Sequence, residues 1–549
     1  MVTLLGDHEP PRRGATWPRK QRGHATLGLF SVAAESLAIL SLVPLAAAIA
    51  GSFKTGGTGG YAWWWGSARG WEALGRTLAV AAPAGAIAVA LAWVLVESAV
   101  RLSRRWAALA VLAACLPLLV PSSLEATAWI VALGREGIVT GWLRGTVGDA
   151  GINLYSIAGA AWVTALRYFG IAALVLLLAR RRREGHWPAE RVFAVPRAAA
   201  AIHLHLRAAV RPIAAAWLLV ALFSMNDHII PGMLLVSTYG TQVLIRYSAL
   251  LDPAGAAALA APMAAVGCVL LIAALRVGKD FLGAATEAAV EHPRSRSVQA
   301  IAAIPAAAVL ALALAVPVAV LAGRTESVQA VGGAIADARG QAWATLWAAG
   351  IGGAIAATAA AVLAGHWVRC RRAGALTAAP WVLLNLTVPP SLVGIGVIGL
   401  FQHAPLAAAR DTCVPLVLGF VVRFLPVATL LLYSLWRSEP AEAALAARVH
   451  GVPGWRTAWS IVWPPRRPAL AGAAILGALL IATDLETAIL LAPPGGATLG
   501  VRLYTLIHTA PDAMVSALAL GILAMTAPAI ALAGAVIALA RRRKAGPQP

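Results

Sequence analysis

The sequence predicts an all-α, polytopic membrane protein of about twelve transmembrane helices arranged as two parallel six-helix repeats. Three observations lead there. Apolar residues make up 60% of the chain and charged residues 12%, with a mean hydropathy of +0.78, whereas a soluble domain is about 25% charged. The apolar residues gather in runs of about 20, the length that crosses ~30 Å of hydrocarbon. The pattern of one half also returns in the other at a nearly fixed offset.

The twelve predicted spans centre near residues 40, 88, 118, 168, 219, 265, 311, 354, 390, 424, 480 and 527. Pro117 and Pro121 interrupt the third, and the fifth begins close behind Arg211. Lys and Arg are retained on the cytoplasmic side during insertion. With the N-terminus inside, 32 of the 44 basic residues fall in cytoplasmic segments, 10 in outer loops and two, Arg167 and Arg423, within spans. Both termini are therefore expected in the cytoplasm of a multi-pass inner-membrane protein. The net charge of +21 is accounted for by topology and by attraction to anionic lipid, and requires no nucleic acid. Arg12-Arg13 precedes a run of full spanning length without a small-residue cleavage site, which argues against a cleaved export signal.

The duplication is traceable residue by residue. Thr77-Leu78 and Thr345-Leu346 open the second and eighth spans at an offset of 268, and VPSSL (120–124) and VPPSL (388–392) keep it. The offset then becomes 256, matching Arg167 with Arg423 and Arg211-Pro212 with Arg467-Pro468. Further on, TQVLIRY (241–247) is matched with TLGVRLY (498–504) at 257. The first repeat is read as residues 1–285 and the second as 286–549, joined through the charged segment near 279–297. An even number of spans separates equivalent points, so the repeats run parallel, as in one class of transporter.

Between the fourth and fifth spans of each half lies a basic cytoplasmic loop, about 184–212 and 438–470. In the second, Ser438 is placed to cap a helix, Pro440 suits its first turn, and Glu439 and Glu442 suit its positive end. Gly451 supplies a left-handed stop with Pro453 just beyond. A helix of about three turns ending at a fixed corner is expected. LAARVHG, followed ten residues later by IVWP and then RRPAL, resembles the EAA loop of ABC-transporter inner-membrane permeases. Ala446, Ala447, Gly451, Ile461 and Pro464 fall on that pattern. APPGGATLGVRLYTLIH resembles the fused, two-repeat permeases of ferric iron, thiamine and related importers.

The resemblance implies a permease that binds no cofactor of its own and couples to a cytosolic ATPase dimer, where ATP is hydrolysed. A periplasmic or extracellular substrate-binding protein would sit on the other side. Ferric iron is the first expected cargo, thiamine or another small solute the next. The family's Glu falls on Leu445, with Glu442 one turn earlier on nearly the same face. The first-half loop departs further: Ala189, Val195 and Ala208 stand where the family has Glu, Gly and Pro, while Glu190 and Arg191 keep a helix-start character. Unequal coupling of the two loops is expected. An ion- or proton-coupled secondary transporter is the competing class.

No nucleotide-binding loop is present, since Gly278-Lys279 is followed by Asp280 and lacks the upstream Gly. The chain is therefore read as a transport subunit without an ATPase site. Cys115, Cys268, Cys370 and Cys413 lack metal-ligand spacing and imply no disulfide framework. Intramembrane charges are costly, about 2.5–3.5 kcal/mol each on insertion scales, which singles out Arg167 and Arg423 as lining the path or making an inter-half contact, or as bonding backbone carbonyls. Asn226, Asp227, Asp484 and Glu486 close the fifth and eleventh spans at nearly matching points, as pathway groups or as ordinary helix-end acids. Glu35, Glu97 and Glu125 carry weaker signals.

Overall fold

A computed structural model describes residues 32–53, 61, 66–146, 153–184, 198–282, 295–369, 375–437 and 442–542, and every regular element among them is helical. The N-terminal half contains α1 (Val32–Leu40) and α2 (Val43–Ser52), which meet at 40°, then α3 (Ala68–Ala99), α4 (Arg104–Ala114), α5 (Ser122–Leu133) and α6 (Ile138–Thr146). It continues with α7 (Ile157–Glu184), α8 (Ala198–Asn226), α9 (Ile229–Met233), α10 (Tyr239–Ser248) and α11 (Pro253–Leu282). The C-terminal half contains α12 (Arg296–Leu310), α13 (Val316–Arg324), α14 (Val328–Asp337), α15 (Arg339–Arg369), α16 (Ala375–Leu384), α17 (Pro390–Leu400) and α18 (Val414–Trp436). After it come α19 (Glu442–Val449), α20 (Gly454–Arg456), α21 (Trp463–Ala482), α22 (Glu486–Leu491), α23 (Leu499–Thr509) and α24 (Asp512–Arg542).

The molecule is an all-α polytopic membrane protein. Nine helical stretches among the described residues are long and apolar enough to cross a membrane, ten with the bent α1–α2 pair. The third and ninth expected spans are not continuous. The third is α4, a 3-10 turn over Leu116–Leu119 and α5; the ninth is α16, a break at 385–389 and α17. Proline explains both breaks, because it lacks an N–H and drives the preceding residue out of the helical region. Pro121 and Pro389, 268 residues apart, adopt nearly the same extended conformation, φ −56 and ψ 136 against φ −57 and ψ 139. Large apolar side chains such as Val94, Leu174, Ile272, Ile301 and Ile304 point outward, as a lipid-facing surface requires.

Several tertiary contacts recur at the sequence offsets. The Thr77 hydroxyl accepts from the Tyr239 amide at 2.8 Å, and the Thr345 hydroxyl accepts from the Leu499 amide at 2.8 Å. Each bond ties the start of a long helix to the N-terminus of a short one, α3 to α10 and α15 to α23. This shifts the register read from the sequence: Thr238 and Thr498 are the residues just before α10 and α23, so the local offset is 260 rather than 257. Three extra residues lie in the second connection. Gly85 and Gly353 mark the next pair of crossings. A Cβ on Gly85 would meet the Trp217 indole at 2.9 Å, and one on Gly353 the Ala474 carbonyl oxygen at 2.6 Å.

The first span of each half packs on the other half. Ala34 and Ala38 of α1 share a core with Ala357, Ala360 and Leu363 of α15, and Asn385 donates to the Ser41 hydroxyl at 2.9 Å. Gly396 of α17 lies against the backbone of Pro44, where any Cβ would collide. Reciprocally, Ala306, Val309 and Val320 of α12–α13 join the core built by α3 and α7. The α5 helix buries Leu124 and Ala128 against α23 and α24, and α17 buries Leu392 against α10 and α11. These exchanges make the interface between halves continuous with both cores.

Candidate functional site: a charged network between the halves and a loop corner

Arg167 of α7 and Arg423 of α18 stand at equivalent places in the fold, each near the break that ends the following long helix. That break is needed in both halves, since α8 stops at Asn226 and α21 at Ala482. The aspartate just beyond caps the short helix that follows. Asp227 accepts from the Ile229 and Ile230 amides at 3.1 and 3.3 Å, and Asp484 from the Thr487 amide at 3.3 Å. Capping amides and a guanidinium thus converge on the same carboxylate, the arrangement that lets an acid stay buried.

The two arginines are satisfied differently. Arg423 donates to Asp484 at 2.9 Å, to Glu486 at 3.0 Å and to the Thr487 hydroxyl at 3.2 Å. Arg167 spends its short bonds on main-chain carbonyls, Val120 at 2.6 Å and Pro117 at 3.3 Å, in the break before α5. Its carboxylate contacts are longer, 3.5 Å to Glu125 and 3.6 Å to Asp227. The Tyr168 hydroxyl makes up part of the difference by donating to Asp227 at 3.1 Å. Phe424 occupies the matching place on α18, and Asp484 takes the Thr487 hydroxyl at 2.7 Å instead. Among the described residues the hydrogen bonds and ion pairs of Arg167 fall within the N-terminal half, on the Pro117 and Val120 carbonyls and on Glu125 and Asp227.

His228 joins the two networks. Its Nδ1 lies 3.2 Å from Glu486 Oε1, and its amide donates to the same oxygen at 3.3 Å. Glu125, Arg167, Asp227, His228, Asp484 and Glu486 are each at least nine-tenths buried. Arg423 is the more accessible member, its side chain 27% exposed. Asn226, expected beside the acids, is buried, and its Oδ1 has no hydrogen-bond partner among the described residues. His228 was not singled out by sequence reasoning because its partner lies 258 residues away. Glu125 carried only the signal of an acid next to a proline break.

The loop between α18 and α21 forms the expected corner at Gly451. The described part of α19 has eight residues, beginning at Glu442; Ser438, Glu439 and Pro440 lie outside the described residues. It stops where Gly451 adopts φ +75. The His450 amide donates to Ala446 and the Val452 amide to Ala447, both at 2.9 Å, a glycine-terminated helix end. Leu445 is 55% exposed, Ala446 also faces outward and Ala447 is buried. The chain then turns through α20 into a π turn over Thr457–Val462 that contains Ile461 and runs into Pro464 at the start of α21. A proline ring crowds the carbonyl four residues earlier, which favours the widened turn. Val449, Trp455 and Trp459 are 84%, 69% and 65% exposed. In the first loop Glu190, Arg191, Val195 and Ala189 lie outside the described residues.

The described residues hold no group of three or more His, Cys, Asp or Glu side chains able to hold a metal ion. The chain matches no family model, no curated protein and no solved structure.

Proposed function

We propose that the chain is the membrane permease of a bacterial ABC importer in the cytoplasmic membrane, two parallel six-span repeats with exchanged first helices forming the translocation pathway. The observation that carries this reading is the corner at Gly451. A short helix, a left-handed glycine and a rigid entry into α21 project Leu445, Val449, Trp455 and Trp459 from between two spans. Exposed aromatic and aliphatic anchors of this kind suit a protein partner. In this reading that partner is a cytosolic ATPase dimer, and its closure drives α18 and α21 apart, rocking the halves about the Arg167–Arg423 network. A binding protein delivers the solute from outside, with ferric iron the first choice and thiamine the second. Both termini lie inside, and twelve spans result when the broken third and ninth are counted with the ten.

The test is reconstitution in proteoliposomes with a candidate ABC ATPase subunit from the same organism. Gly451→Val should abolish the stimulation of ATP hydrolysis while the protein remains monodisperse and helical. ATP hydrolysis unaffected by the permease, or by the substitution, would overturn the coupling. The buried His228–Glu486 contact favours one alternative, an ion- or proton-coupled secondary transporter. That reading predicts uptake into ATP-free vesicles driven by an imposed proton gradient alone.

A further inference from the structure

The charges of the buried network do not balance. Four carboxylates, Glu125, Asp227, Asp484 and Glu486, share two guanidiniums, Arg167 and Arg423. An imidazolium at His228, held against Glu486 at 3.2 Å, removes one of the two excess negative charges. One remains, and the hydrogen bonds show where it would fall. Asp227 accepts from Tyr168 and two amides; Asp484 accepts from Arg423 and Thr487; Glu486 accepts from Arg423 and His228. Among the described residues Glu125 alone of the four accepts no close hydrogen bond. It is 3% exposed, and its ion-pair partner Arg167 stands at 3.5 Å with the guanidinium turned toward Val120 and Pro117. A buried carboxylate without donors takes up a proton rather than remain charged.

We propose that Glu125 is a proton-binding site of the interface between the halves, carrying a carboxylic-acid proton in this closed conformation. The groups facing it are Arg167 and Tyr168 on α7 and Asp227 at the entry to α9, with His228 one residue further. The other elements packed on α5 are α6, α13, α23 and α24. Their titratable residues, Arg144, Arg324, Arg502, Tyr504, His508 and Asp512, form no ion pair with Glu125 among the described residues. The site is confined to one half, because the equivalent of Glu125 at the 268 offset is Val393. Parting the halves would turn Arg167 or water toward Glu125 and release the proton, so the site is loaded when the interface is closed and empty when it opens. The assignment concerns the protonation of the resting molecule and holds for either energy source considered above.

Infrared spectroscopy of the purified chain at neutral pH tests this. The wild-type protein should show a protonated-carboxyl C=O stretch that moves in D2O, shifts when glutamate is 13C-labelled and disappears in Glu125→Gln. Replacing Na+ by choline should leave it unchanged. The labelled wild type makes the test independent of how the variant folds. A missing band, a band that ignores glutamate labelling, one retained in Glu125→Gln, or one that emerges only when Na+ is withdrawn would overturn the assignment. The last outcome would mean an ionised Glu125 neutralised by a bound metal cation.

Discussion

The N-terminal and C-terminal arginine networks occupy equivalent positions and solve the same electrostatic problem by different means. Arg423 forms close bonds with two acids at the head of α22, and all three groups are mutually satisfied. Arg167 is bonded to two carbonyls at a broken helix and stands farther from its acids. The first arrangement is an ion-pair cluster; the second uses the guanidinium as a clamp on irregular backbone, which in a membrane must be satisfied by protein. One half is built around paired charge and the other around backbone, and His228 meets Glu486 between them.

The largest expected effect follows from that difference. Arg423→Leu strands Asp484 and Glu486 together, and stranding a buried partner costs about 3–5 kcal/mol. Arg167→Leu leaves Asp227 with Tyr168 and two amides, and mainly orphans the Val120 and Pro117 carbonyls, a loss of about 1–3 kcal/mol. Denaturant unfolding in detergent micelles compares them directly. Equal losses would mean that the short and long ion pairs contribute alike and that the distinction drawn from the distances is empty.

Much of this comparison is legible in the sequence where a residue type has one structural use. Thr77 and Thr345 align, and they make the same bond; Arg167 and Arg423 align, and they sit at the same crossing; Gly451 predicts a left-handed stop, and φ is +75 there. The register fails where the match was carried by side chains on a helix surface. Aligning Arg246-Tyr247 with Leu503-Tyr504 puts α10 and α23 three residues out, whereas the Thr-x-Gly at 238–240 and 498–500 marks the helix starts and gives the correct match. A break at 389 was signalled by the same proline logic as at 121, but VLLNL before it masked the signal with continuous hydropathy. His228 could not be found this way, since hydropathy and local spacing carry no information about a partner in the other half. The exchange of first spans is likewise a tertiary event, set by which apolar face finds which.

The glycine crossings sharpen the comparison at intermediate size. Beside Gly353 the obstacle to a Cβ is main chain, Ala474 oxygen at 2.6 Å and Ala478 nitrogen at 2.7 Å, so α21 as a whole must move. Beside Gly85 the closest obstacle is the Trp217 indole at 2.9 Å, which can rotate at the expense of its 3.0 Å bond to the Ala82 carbonyl, with main chain farther off at the Trp217 oxygen, 3.2 Å. Gly353→Ala should therefore cost about 1–3 kcal/mol, at the level of an overpacked core, and Gly85→Ala less. Thermal unfolding in detergent ranks the two. The reverse order would show that the indole is the more rigid neighbour and that the N-terminal half has the tighter α3–α8 seam.

The smallest effect lies where the halves differ at the surface. Arg246 of α10 donates to Asp252 at 2.9 Å, and Asp252 also accepts from the Gly255 amide at 2.8 Å as it opens α11. At the 260 offset Asp512 is retained, but Leu506 replaces the arginine. Partial burial pushes the Asp252 carboxyl upward, yet the Gly255 amide and the Arg246 guanidinium together hold it below its ordinary value. A carboxyl lowered in the folded state adds stability above the unfolded aspartate value, near ~3.9, and that contribution is lost as pH falls through the lower folded value. The side chain is 36% exposed, so solvent screening limits the gain at neutral pH to about 0.2–1 kcal/mol. Asp252→Asn should lower the unfolding midpoint slightly at pH 7 and leave it unchanged in acid, where the wild-type carboxyl is also neutral. Asp512→Asn breaks no ion pair among the described residues and should change stability by no more than about 0.5 kcal/mol. If both substitutions lose the same amount at neutral pH, capping of the long helix accounts for the whole effect, and the Arg246–Asp252 pair adds no stability of its own.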